Sequence, residues 1–201
     1  MRMKVSLAAA LAMAGWIATA ATASQAAERR LTGDDLRDLA RRETLWCDSY
    51  VEKTDDCDAI TLLRLLPDGR VLQTSQVLIQ QDPNVDVVIQ DTVEVRGDQL
   101  CEKFEGLSDK MRFRMNGSPA PAMLSLQLGA LFASATQDLE GKTVCQAFYR
   151  DEATGELREE MTADGVRRED LESVYRLKEG EGAWMLRPQI GAEDEDERVI
   201  L

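Results

Sequence analysis

The side chains best suited to chemistry in this 201-residue chain are its acids and its cysteines. It carries 37 Asp and Glu against 24 Lys and Arg, and no histidine. Without imidazole, Ser-His-Asp and Cys-His catalysis, imidazole proton shuttles and most zinc sites are excluded. Acid–base work would fall to two carboxylates whose surroundings split their pKa values, as in a carboxylate-dependent hydrolase. With so many acids, composition singles out no such pair. Glu159-Glu160 and Glu169-Asp170 read as solvated faces. Asp82-Pro83-Asn84-Val85-Asp86 opens like a calcium loop, but Val87 and Val93 stand where that loop needs Gly and Glu. A looser trio, Asp55, Asp56 and Asp58, falls at an expected hairpin tip. No Gly-x-Ser-x-Gly elbow, Gly-rich phosphate loop or Ser-x-x-Lys motif is present. The sequence therefore names no catalytic residue, no metal site and no cofactor.

The four cysteines are Cys47, Cys57, Cys101 and Cys145. Their even number behind an export signal reads as a disulfide framework. Of three connectivities, Cys47–Cys57 and Cys101–Cys145 is favoured. The first pair flanks the turn-like Lys53-Thr54-Asp55-Asp56. Each member of the second lies in a strand-like segment, residues 99–104 and 143–148. No Cys-x-x-Cys supports redox catalysis.

Residues 1–26 read as an export signal. A basic Met1-Arg2-Met3-Lys4 precedes an uncharged, Ala-rich run from Val5 to Ala23. Ala21-Thr22-Ala23 and Ser24-Gln25-Ala26 are acceptable cleavage triplets. The expected product is a soluble periplasmic or secreted bacterial protein. One domain, residues 27–190, would follow, then a disordered acidic tail, 191–201, with five consecutive acids from Glu193 to Glu197. The net charge of −13 repels phosphate backbones and anionic lipid. Neither nucleic acid nor, after signal cleavage, a membrane is an expected partner.

The elements are short and mostly extended. Thr32 with Asp35 has capping-box form, and Leu36, Leu39 and Ala40 then make one apolar stripe, so a helix should end near Arg42. Strand-like runs follow at 60–66, 70–80 and 85–95, divided by Pro67-Asp68-Gly69 and Asp82-Pro83-Asn84. Val87, Ile89, Val93 and Val95 share a parity that Asp91 breaks, which predicts a bulge or bend there. Asn116-Gly117 marks a hairpin. Residues 122–138 read as a helix with Leu124, Leu128 and Leu131 on one stripe. Late strands are expected at 174–178 and 183–186. The fold class is β-rich α+β: an antiparallel sheet or partial barrel, an N-terminal helix, a mid-chain helix and two disulfides. Trp46 and Trp184 should pack the first and last strands into one core, or line a ligand pocket.

Three pieces carry a resemblance. They are Leu31-Thr32-Gly33-Asp34-Asp35-Leu36, Pro67-Asp68-Gly69, and the run from Val93 to Cys101 containing Arg96-Gly97-Asp98. Together they resemble small exported bacterial proteins with a lipocalin-like domain, most of unknown function. The resemblance implies a lipocalin-like sheet and no particular site residue. The lipocalin Gly-x-Trp start is absent, since Thr44 and Leu45 precede Trp46. The expected function is a non-catalytic binding protein, holding a small apolar ligand or docking on a basic envelope protein. A carboxylate-dependent hydrolase and a structural or inhibitory envelope component are the alternatives.

Overall fold

The computed structural model describes residues 28–178 and 184–189. The expected signal, Gly180, Gly182 and the acidic tail lie outside the described residues.

The first helix forms where its capping box sits. In α1 (Gly33–Arg41) the Thr32 hydroxyl accepts from Asp35 N at 3.2 Å, and the Asp35 carboxylate accepts from Thr32 N at 2.8 Å. Two otherwise orphaned donors are thereby satisfied. Leu36, Leu39 and Ala40 are buried, as their spacing predicts. Gly33 is required sterically, because a Cβ there would meet the Gly97 carbonyl at 2.3 Å.

The strands in chain order are β1 (Glu28–Arg30), β2 (Leu45–Asp48), β3 (Asp56–Cys57), β4 (Ala59–Leu65), β5 (Val71–Gln80), β6 (Val85–Arg96) and β7 (Gln99–Lys103). A short helix α2 (Leu107–Lys110) leads to β8 (Met111–Met115) and β9 (Ser118–Pro119). After α3 (Ala122–Ala135) come β10 (Thr143–Asp151), β11 (Leu157–Ala163), β12 (Val166–Arg167), β13 (Val174–Lys178) and β14 (Met185–Leu186).

Eight of these strands close an antiparallel barrel in the order β2-β4-β5-β6-β7-β10-β11-β13, with β13 pairing back onto β2. The barrel is closed rather than partial, so its eight strands leave no sheet edge between them. Two seams need long-range pairing. One joins β13 to β2. The other joins β7 to β10 across the excursion of residues 104–142, where Cys101 and Cys145 stand opposite each other in register. Both expected disulfides form: Cys101–Cys145 staples that seam, and Cys47–Cys57 ties β2 to β3. Two disulfides fit an oxidising, non-cytoplasmic compartment. No helix among the described residues is long and apolar enough to cross a membrane.

Three expectations need correction. The β5–β6 ladder runs through Gln73 opposite Asp91 without a shift, and its irregularity lies at Leu78–Gln80 instead. What happens near Asp91 is a fork: Val85–Ile89 of β6 pairs with β8, and Glu94–Arg96 pairs with β7. The mid-chain helix ends at Ala135 and continues as a 3-10 turn, Gln137–Leu139. Leu124, Leu128 and Phe132 pack inward, whereas Leu131 is exposed. Finally, Trp46 and Trp184 do not share a core. Trp46 lies inside the barrel, while Trp184 packs on the Cys47–Cys57 disulfide. The chain end causes the separation: β14 runs parallel to β3 instead of joining the barrel. Asp56 and Asp58 there hold Arg187 at 3.1 and 2.6 Å, and Asp55 accepts from the Tyr50 hydroxyl at 3.0 Å.

Candidate functional site at the barrel mouth

Strand alternation decides what faces the bore. At one end, Leu36 and Leu39 of α1 pack with Leu63, Val71, Val93, Leu100 and Leu157. Trp46, Phe148 and Tyr175 form a cluster of edge contacts above them, with centroids 4.9–6.1 Å apart. An eight-stranded bore is just wide enough to be filled in this way or to hold one small ligand.

The other end is built differently. α3 lies across the β5-β6-β8 extension, with Leu124, Leu128 and Phe132 on Ile79, Val85, Val87, Met111 and Phe113. Beneath Phe132 and Thr136 is a cavity of about 310 Å³. Its apolar wall is Ile89, Phe104, Leu107 and Phe132, and its polar floor is Gln73, Ser75, Asp91 and Glu102. Ser75 is tied to Thr61 by a hydroxyl contact of 2.8 Å.

Asp91 and Glu102 meet because of the fork. Where β6 leaves β8 and joins β7, Asp91 and Glu102 turn toward one another, and Lys110 at the end of α2 inserts between them. Its ammonium donates to Asp91 Oδ2 and, at 3.2 Å, to Glu102 Oε2. Burial, reinforced by the adjacent Asp91 carboxylate, pushes Glu102 up to about 8. Burial also works to raise Asp91, but hydrogen bonds from Glu102, Lys110 and the Thr92 N–H outweigh it and hold Asp91 below its ordinary range. The two acids are thus pushed apart, Glu102 toward its neutral form and Asp91 toward its carboxylate.

A second acidic centre lies deeper. Glu159 was expected on a solvated face, yet it is 1% exposed. It shares the inward parity of Leu157, Met161 and Ala163. Burial pushes it up to about 8, despite the Tyr175 hydroxyl donating to it at 2.9 Å. Glu159 Oε1 and Trp46 Nε1 have no hydrogen-bond partner among the described residues.

Of the six candidate site residues, the four cysteines, Trp46 and Trp184, Trp46 alone borders the bore. The cysteines staple the frame, and Trp184 lies outside it. Asp91, Glu102, Lys110 and Glu159 were missed as a set. Asp91 and Glu159 did leave a signal, each being an acid on the apolar parity of its strand. No group of three or more His, Cys, Asp or Glu among the described residues is placed to hold a metal ion. Comparison with known proteins returns no matching family model, no matching curated relative and no matching solved structure.

Proposed function

We propose that this is an exported, periplasmic or secreted bacterial binding protein that takes a small ligand with an apolar body into the barrel mouth. The carrying observation is the cavity of about 310 Å³ between α3 and the bore, within the size range of small-molecule pockets. Its wall offers Ile89, Phe104, Leu107 and Phe132 to an apolar body, and its floor offers polar groups that fix orientation. This reading is in keeping with the lipocalin-like resemblance.

The test is a pair of mass spectra on protein purified from the periplasm without refolding. Extra mass that is bound natively and leaves on denaturation supports the reading and identifies the ligand class. A bare protein that also binds no neutral aromatic probe overturns it.

Two other readings each have an observation behind them. The split pair Asp91 and Glu102 favours a carboxylate-dependent hydrolase. Against it, Lys110 engages one oxygen of each acid, and Asp91 Oδ1 accepts from Thr92 N at 2.7 Å. Hydrolysis of chromogenic glycosides that Asp91→Asn abolishes would establish that reading. Met123, Leu126 and Leu131 on the outer face of α3 are about two-thirds exposed, which favours docking on another envelope protein. A stable complex that forms with the mouth cavity filled would establish docking.

A further inference from the structure

Below the mouth cavity lies a second, much smaller one of about 10 Å³. It is lined by Trp46, Thr61, Gln73, Gln146 and Tyr175 among the apolar Leu63, Leu100 and Phe148. That volume is about one water-sized sphere, so it admits a single heavy atom. Trp46 is 2% exposed, and its Nε1–H is left without an acceptor among the described residues. A buried donor left unpaired costs about 1–3 kcal/mol, so this one calls for an acceptor, and the space beside it holds one of that size. Gln73 lines both cavities, and its carboxamide makes no hydrogen bond to any described residue. It can therefore change rotamer without breaking a bond.

We propose that the two cavities take one ligand, whose apolar body fills the mouth and whose single uncharged oxygen, a hydroxyl or carbonyl, passes Gln73 to accept a hydrogen bond from Trp46 Nε1–H. The proposal rests on the binding reading above and specifies its ligand class as neutral amphipaths of alcohol or ketone type. A charged tip is disfavoured by cost, because the lining side chains are all uncharged, and the nearest acid, Glu159 behind the Tyr175 hydroxyl, is itself pushed toward its neutral form by burial. A tip lacking an acceptor leaves the indole N–H unpaired, which gives discrimination by hydrogen bonding rather than by size.

The test uses the full chain and three probes. 1-Aminoanthracene reports occupancy of the mouth by fluorescence. 1-Octanol and 1-chlorooctane, similar in length, compete for it. Both should displace the probe, with 1-octanol binding about tenfold more tightly, the value of one net hydrogen bond. The ¹⁵N-indole NMR signal of Trp46 should shift with 1-octanol and not with 1-chlorooctane. Trp46→Phe should remove the advantage of 1-octanol and leave 1-chlorooctane unchanged. The NMR measurement needs no substitution, so it decides the matter even if that variant fails to fold. Equal displacement by both competitors, with an unmoved Trp46 signal, overturns the oxygen-tip proposal and leaves the binding reading standing. Failure of all three compounds to bind overturns both.

Discussion

At one end of the barrel, Leu36 and Leu39 of α1 fill the bore and are almost fully buried. At the other, α3 buries none of its residues completely, and Phe132 stands over Asp91, Glu102 and a cavity. Both ends are covered by a helix, but the helices do different work. α1 is strongly one-sided, with acids in its first turn and Arg41 in its last, so it has one apolar face to bury. α3 has no charged residue, packs through Leu124, Leu128 and Phe132, and leaves Met123, Leu126 and Leu131 in solvent. The helix at the plugged end is fully packed, and the one at the mouth gives up packing for space. Regions with few buried contacts open at low free-energy cost, which is what ligand entry requires.

The largest expected effect is on the seam that holds both ends in one barrel. Replacing Cys101 and Cys145 by alanine should cost about 4 kcal/mol, against about 3 for Cys47 and Cys57, because the chain loop is longer. Urea midpoints of the two double variants check the order. Next, Leu36→Ala should cost about 3 kcal/mol and Phe132→Ala less than half of that. If Phe132→Ala proves the more damaging, the contrast between plug and cover is wrong.

A pH profile sharpens the picture of the bore. Glu159 and Glu102 hold their protons up to about 8 when folded, whereas an unfolded Glu releases its proton near 4.5. The folded state therefore binds more protons between those values, and stability falls as pH rises through that window. Glu159→Gln should flatten the fall and raise the urea midpoint at pH 8.5 relative to pH 5.5. An unchanged slope would place Glu159 in water. The smallest effect is at the helix start: Thr32→Ala should cost about 1 kcal/mol, read by thermal melting.

Much of the frame was legible from local chemistry. The capping box marked the start of α1, and its apolar stripe placed the end to within a residue. Pro67-Asp68-Gly69 and Asn116-Gly117 marked their turns, with Gly69 at φ +84° and Gly117 at φ +77°. Cys47–Cys57 followed from the turn that the two cysteines flank, and Cys101–Cys145 from the strand-like runs that hold them. The site was not legible, because it depends on which strands become neighbours. Glu102 meets Asp91 only after β6 forks, and Lys110 reaches them from a helix of four residues. Closure of β7 on β10 spans a sequence separation of 44 at the disulfide, which no local pattern encodes. Glu159 shows how charge can mislead. Beside Glu160 it looks like half of a solvated pair, yet parity with Leu157 and Met161 turns it into the bore.

The central claim is that the mouth cavity binds a small molecule while the plug carries stability. Ser75→Leu adds apolar bulk to the cavity floor at the cost of the contact with Thr61. Titration of the wild type and this variant with 1-aminoanthracene tests the claim directly. The account predicts one-to-one binding that the folded variant loses, with its urea-derived stability lowered by no more than about 1–3 kcal/mol, the cost of an unpaired Thr61 hydroxyl. Absence of binding to the wild type, or equal binding to both proteins, would contradict it.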